Sequence, residues 1–354
     1  MNASLLREFK QPGFRYRGAP FWAWNGKLDP AELRRQVRLM KRMGLGGFFM
    51  HARVGLKTGY LSEEWFDGVK ACVDEAKRQG MNAWLYDEDC WPSGTAGGIV
   101  TRNRKHRVRH LVMEEVSDVR ALRRCQNVLA VFTARVSGST AADVRRVPRG
   151  GKPPALKPGE SWLVFRVEED VSYVDTLSHE AVARFIEVTH EAYKKNVARD
   201  FGGAVPGIFS DEPRFAGLAA DHKDGTLISA WTGALPAVFR KRYGYDLVAH
   251  LPELFLDLEG QPISRARYHY IDCVTHLFTE AFFRQIGDWC GANGLLFTGH
   301  VMDEDWLSCQ VNAVGSCMRC YEHMQAPGMD LLTEGTRTTY DTAKQVSSVA
   351  RQLG

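Results

Sequence analysis

No apolar run in the 354 residues approaches the roughly 18 that a membrane-spanning helix needs. The amino terminus, MNASLLREFKQPGFRYRG, lacks the apolar core of a secretory leader. An excess of one charge sign is missing too: 46 Lys and Arg stand against 42 Asp and Glu, a net of +4, too little to indicate nucleic acid. Cysteine clustering is absent, since the eight cysteines are scattered and Cys317-Met-Arg-Cys320 is the one CxxC, with no second pair or HxxxH to make a zinc site. Free thiols in a reducing compartment are therefore expected, not a disulfide framework. A composition 44% hydrophobic and 25% charged excludes disorder and collagen-like repeats. These absences leave a soluble, cytoplasmic, enzyme-sized protein with no membrane or nucleic-acid partner and no organic cofactor.

What is present is alternation. Ala19-Pro-Phe-Trp-Ala-Trp24 reads as a strand, and Asp29-Pro30-Ala31-Glu32 opens a helix with an N-cap acid, a proline at the first position and a capping-box glutamate. Leu33, Val37 and Met40 share one face of that helix, and Gly44 can close it in the left-handed conformation. Gly47–His51 is the second strand. Ser62 caps a helix with Trp65, Val69, Cys72, Val73 and Ala76 inward, Gly80 ends it, and Asn82–Asp87 is the third strand. Nearly all-apolar strands separated by amphipathic helices define a parallel sheet covered on both faces, in a (β/α)8 barrel or a doubly wound sheet.

The period breaks over 95–174, where 111–116, 128–132 and 161–165 read as antiparallel strands. We read this stretch as a small basic β-rich subdomain inserted into a discontinuous barrel formed by 1–94 and 175–354. Residues 101–160 hold 14 Lys/Arg against 5 Asp/Glu, a net of +9, so against the whole-chain +4 the remainder is −5. A solvated basic face explains this better than a grip on an anionic polymer. Alternation then resumes with a helix over 178–199, a strand at 205–211, helices over 226–243 and 266–293, a strand at 295–300, a short helix near 312–324, a sixth strand at 328–332 and a last helix over 342–353. Six strand–helix units make an incomplete TIM-type barrel, and an open barrel exposes unpaired backbone. The chain is accordingly expected to belong to a longer protein.

In parallel α/β folds, functional groups lie just past the carboxyl ends of the strands. Those positions hold Trp24-Asn25, His51 with Arg53, Tyr86-Asp87-Glu88-Asp89, Asp211-Glu212, His300 and Asp330. Aromatic rings beside carboxylates suit a sugar, because rings stack on pyranose faces and acids bind hydroxyls. Glu212, next to a second acid, can retain a proton and deliver it to a glycosidic oxygen; the plainer alternative is that both acids cap or ion-pair. Asp87 and Glu88, followed by Trp91-Pro92-Ser93-Gly94, read as hydroxyl recognition or as a loop of solvated acids. His51 and His300 are pocket residues or hydrogen-bonded structural ones, and a hydrolytic metal site of His51, Asp87, Asp211 and His300 is a minor reading.

Several blocks carry a resemblance: Pro20-Phe-Trp-Ala-Trp-Asn-Gly-Lys-Leu28, Gly46-Gly-Phe-Phe-Met-His-Ala-Arg-Val-Gly-Leu56, Ala83-Trp-Leu-Tyr-Asp-Glu-Asp-Cys-Trp-Pro-Ser-Gly94, Phe209-Ser-Asp-Glu-Pro213, Thr298-Gly-His300, Pro327-Gly-Met-Asp330 and Lys344–Gly354. Together they resemble glycoside hydrolase family 106. The resemblance implies an inverting α-L-rhamnosidase on a (β/α)8 barrel followed by β-sandwich domains, with two catalytic glutamates and calcium near the site. It implies that Glu212 is one of those glutamates, that Trp24, Asn25, His51, Arg53, Tyr86, Asp87, Glu88, Trp91, Asp211 and His300 bind the substrate, and that a rhamnose-containing oligosaccharide or glycoside is the partner. The second glutamate would follow on a seventh strand, beyond Gly354. Asp330 is the calcium candidate. The rivals are a carbohydrate-binding remnant without turnover and a glycosidase of different sugar specificity.

Overall fold

The structure, a computed structural model, describes residues 3–150, 152–218, 220–221, 227–261, 263–331 and 336–353. Thirteen strands are described. In chain order they are β1 (Phe21–Trp24), β2 (Gly47–Ala52), β3 (Asn82–Tyr86), β4 (Arg107–Val116), β5 (Val128–Ser137), β6 (Thr140–Arg146), β7 (Ser161–Val174), β8 (Gly207–Ser210), β9 (Ala220–Asp221), β10 (Leu227–Trp231), β11 (Asp257–Leu258), β12 (Leu296–Gly299) and β13 (Ala326–Pro327). One sheet runs β1-β2-β3-β8-β12-β13, with every pair parallel.

Local chemistry explains the first units. Asp29 accepts the Glu32 amide at 2.8 Å and starts the helix Pro30–Arg42, which buries Leu33, Val37 and Met40. Ser62 accepts the Trp65 amide, and Gly80, with φ +60°, closes the helix Glu63–Gln79. Along β2, Phe48, Met50 and Ala52 are buried, while Phe49 contacts Trp84 and Phe209. That is the two-residue alternation of a strand with helices on one side and a barrel interior on the other.

The parallel sheet curls. Phe21 on β1 lies 4.9 Å, centroid to centroid, from Phe209 on β8, although two strands stand between theirs. A flat sheet would hold such residues roughly 14 Å apart. The concave side therefore collects Phe21, Phe49, His51, Tyr86 and Phe209, while the convex side carries the helices. This is an α/β, barrel-like sheet of six strands, with β1 and β13 at its edges.

The second sheet runs β11-β6-β5-β7-β4-β10-β9, antiparallel except for β11 with β6. It spreads beyond the 95–174 stretch expected from the sequence, because β9, β10 and β11 come from later in the chain. The expected helix over 226–243 is corrected as well: Leu227–Trp231 pairs with β4, and the helix begins at Leu235. Five arginines of the basic stretch are ion-paired, Arg104 and Arg107 with Glu169, Arg109 with Asp175, Arg135 with Asp143 and Arg145 with Glu160. The sixth strand forms at Ala326–Pro327, not 328–332, and Leu332 lies outside the described residues. Among the described residues, no helix is long and apolar enough to cross a membrane.

Gly299 shows how tightly β12 and β8 meet. Its φ is +139°, and a Cβ there would stand 2.0 Å from the Ser210 carbonyl oxygen. We expect Gly299→Ala to lower unfolding free energy by more than about 2 kcal/mol in urea melts. A change within about 0.5 kcal/mol would show that this approach is not a constraint.

Candidate active site

The carboxyl ends of β2, β3, β8 and β12 bring His51, Tyr86, Asp211, Glu212 and His300 together. Asp211 is the hub. Its Oδ2 accepts the Tyr86 hydroxyl at 2.6 Å, its Oδ1 lies 2.9 Å from His300 Nε2, and His51 Nε2 stands 3.9 Å from Oδ2. Burial on its own would raise the Asp211 carboxyl, but the bonds from His300 and Tyr86 outweigh it and hold the group below the usual carboxylate range. His300 shows the converse: burial opposes its charge, yet Asp211 and Glu304 lift it to about 10. His51 is lowered to about 4, first by burial and then by the neighbouring Arg53 cation, so it is neutral at pH 7.

Glu212 is different. It is half-buried, and its φ of +47° places it in the left-handed region, where a non-glycine residue is strained. Burial raises its carboxyl; the His300 cation opposes this, while Asp211, Asp330 and Asp303 add to it. Two adjacent acids are thus driven apart, Asp211 toward the anion and Glu212 toward the protonated form.

Asp87 and Glu88 lie behind this cleft, not in it. Both are fully buried. Asp87 accepts the Ser93 hydroxyl at 2.6 Å and the Ser210 hydroxyl, and burial drives its carboxyl well above the usual range. Glu88 accepts five backbone amides, from Asp89, Gly94, Thr95, Ala96 and Gly97. The two acids therefore shape the loop after β3 and have no free face for a sugar. Ser93 ties this loop to β8, exchanging 2.8 Å bonds with the backbone of Asp211 through its own amide and hydroxyl. Trp24 is likewise misplaced by the sequence reading: it is 2% exposed and packs edge-on against Trp65 of the helix layer. Asn25 is exposed at the end of β1. Arg53 lies 4.2 Å over the Trp91 ring, and Trp91 is 43% exposed, so this pair forms a rim.

Sequence reasoning missed Ser93, Ser210, Glu304 and Tyr321 as members of this network. Ser93 and Ser210 stood inside quoted motifs without a role, and Glu304 left a trace as an acid four residues after His300. The one cluster spaced for a metal among the described residues is Asp211, Glu212 and His300, whose ligand atoms lie within 4.8 Å of one another. It does not fit calcium, which takes six to eight oxygens: His300 offers nitrogen, and both Asp211 oxygens are already occupied. Cys317 and Cys320 are buried free thiols.

Among solved structures, the chain is similar to a rhamnosidase from Novosphingobium sp. PP1Y, with a TM-score of 0.67 at 15% identity, covering 99% of this chain and 52% of that one. The chain thus spans about half the length of that protein, and the likeness is one of fold. No family model matches the chain, and no curated protein matches it.

The raised His300 has a measurable consequence. Its contribution to stability is full below about pH 6.5 and is lost as pH climbs through about 10. Urea melts of the wild type and His300→Gln at about pH 6 and about pH 9.5 should show the stability gap between them narrowing at the higher pH. A gap that stays constant or widens contradicts the buried cation.

Proposed function

We propose that this chain carries the acid half of a glycoside-hydrolysing site, in an α-L-rhamnosidase of the family 106 type acting on rhamnose-containing oligosaccharides or glycosides. The observation that carries the reading is the divergence of Asp211 and Glu212. A carboxyl raised above its usual range beside one held below it is the arrangement that a glycosidic leaving group calls for. In this mechanism Glu212 donates its proton to the glycosidic oxygen as the bond to the anomeric carbon breaks. Tyr86, Asp211 and His300 form the polar floor beneath the sugar, and the aromatic face of Trp91 with Arg53 borders the entrance.

Inversion needs a second carboxylate about 6.5–9.5 Å from the first, to take a proton from the attacking water on the opposite sugar face. On this reading the base lies on further strand–helix units that pair with the free edges of β1 and β13, with β-sandwich domains after them. Among the described residues, both edges of the curled parallel sheet are unpaired, which supports that completion. The same edges favour a second reading for the chain by itself, in which it holds the sugar without cleaving it.

In the protein carrying the complete barrel, we expect Glu212→Gln to lower hydrolysis of an aryl α-L-rhamnoside about 10²–10⁴-fold with an unchanged melt. A variant within about tenfold of wild type would defeat the assignment. Other aryl glycosides, run alongside, test the sugar. Saturable rhamnose binding to this chain without turnover is the result expected from the second reading.

A further inference from the structure

We propose that Glu304 is a positioning residue of this site: set on the side of His300 away from Asp211, it keeps the imidazole a cation beside Glu212 and so sets the pH at which Glu212 loses its proton. The proposal rests on the reading of Glu212 as the acid.

Glu304 lies between His300 and the helix Leu307–Ala313 and is only 4% exposed. A buried carboxylate must be paired. One of its oxygens accepts the Tyr321 hydroxyl at 2.5 Å; the other accepts the Asp330 amide and lies 3.4 Å from His300 Nδ1. On the opposite edge of the ring, His300 Nε2 lies 2.9 Å from Asp211 Oδ1. One imidazole therefore stands between two carboxylates from different parts of the chain. A neutral imidazole has a single N–H and would turn a lone pair toward one of them. The Nδ1 contact with Glu304 is an ion-pair approach and not a hydrogen bond, and the protonated ring is the form whose charge both carboxylates attract.

The remaining charges around the pair have assigned places. Asp330, from the segment after β13, stands 3.9 Å from His300 Nε2. Beyond Asp211 lie Tyr86 of β3, which donates to it, and His51 of β2, which is neutral. Glu212 faces three acids, Asp211, Asp330 and Asp303, against one cation, His300. Removing that cation leaves Glu212 among acids alone, and its proton should then be held to higher pH.

Glu304→Gln separates this role from simple support. The amide can donate to Nδ1, leaving His300 neutral with its one proton on Nε2 toward Asp211. The test is nuclear magnetic resonance of the chain labelled with ¹⁵N-histidine and ¹³C-carboxyl glutamate, with His300 assigned by His300→Gln and Glu212 by Glu212→Gln. In the wild type, His300 should carry two ring protons at about pH 8. In Glu304→Gln it should carry one, and the Glu212 midpoint should rise by about half a pH unit or more. Glu304→Asp, which keeps the charge, should restore the cation. A singly protonated wild-type His300 at about pH 8 overturns the proposal, and so does a Glu212 midpoint that stays or falls in Glu304→Gln. If Glu304→Gln does not fold, the wild-type ring and Glu304→Asp decide. Neither readout uses turnover, so normal hydrolysis by Glu212→Gln would remove Glu212 as the acid and leave this linkage standing.

Discussion

A carboxylate buried at a strand end must be paired, and much of this site follows from how Asp211 meets that demand. Leaving such an ion unpaired costs several kcal/mol, on the order of the whole stability of a domain. Asp211 takes its partners from β3 and from the end of β12, so pairing it also fixes how those strands meet at their carboxyl ends. The demand then passes outward. His300, charged by Asp211, faces Glu304, and Glu304 in turn takes Tyr321 and the Asp330 backbone. Each link is buried, and each would be costly alone. The chain of pairings turns a row of expensive groups into a rigid floor.

Among the described residues, Glu212 takes no hydrogen bond from this floor. It follows Asp211 directly, yet its left-handed backbone turns the chain sharply before Pro213. A left-handed non-glycine residue persists only where its surroundings over-determine it. The bonds between Ser93 and the Asp211 backbone supply that constraint on the amino-terminal side, and Pro213 limits the chain on the other. Asp87 and Glu88 contribute indirectly, by holding the loop that delivers Ser93. Acids that looked like ligands in the sequence are thus the mortar behind the acid that does face the cleft.

The first three strands, both helix caps and the residues that face the convex layer were legible because they depend on local rules: period, N-cap chemistry and left-handed glycines. The strand at Leu227–Trp231 was not. Ile228, Trp231, Leu235 and Phe239 fall at helical spacing, and only non-local pairing with β4 makes the first two of these residues strand. The site was legible as a set of strand ends, which brought His51, Tyr86, Asp211, Glu212 and His300 onto one list. The direction each side chain takes from its strand end was not legible. Trp24 and Glu88 sit at the same kind of position as His51 and Glu212, yet the packing of Trp65 and five backbone amides draw them away from the cleft.

The open concave face bears on how the acid works. Phe21 reaches across to Phe209 and still remains 48% exposed, because nothing among the described residues covers it from the β1 edge. Water at that edge lies on the same side of the sheet as His51, Tyr86 and Phe209. Electrostatic interactions weaken as water enters, so the separation between Asp211 and Glu212 should be smallest with this face open and should grow when it is covered. Strands added at β1 and β13 would bury Phe21, dry the floor beneath Asp211 and strengthen the field of the His300 cation at Glu212. On the proposed reading, completing the barrel would do more than bring a base to the sugar: it would also sharpen Glu212 as the acid.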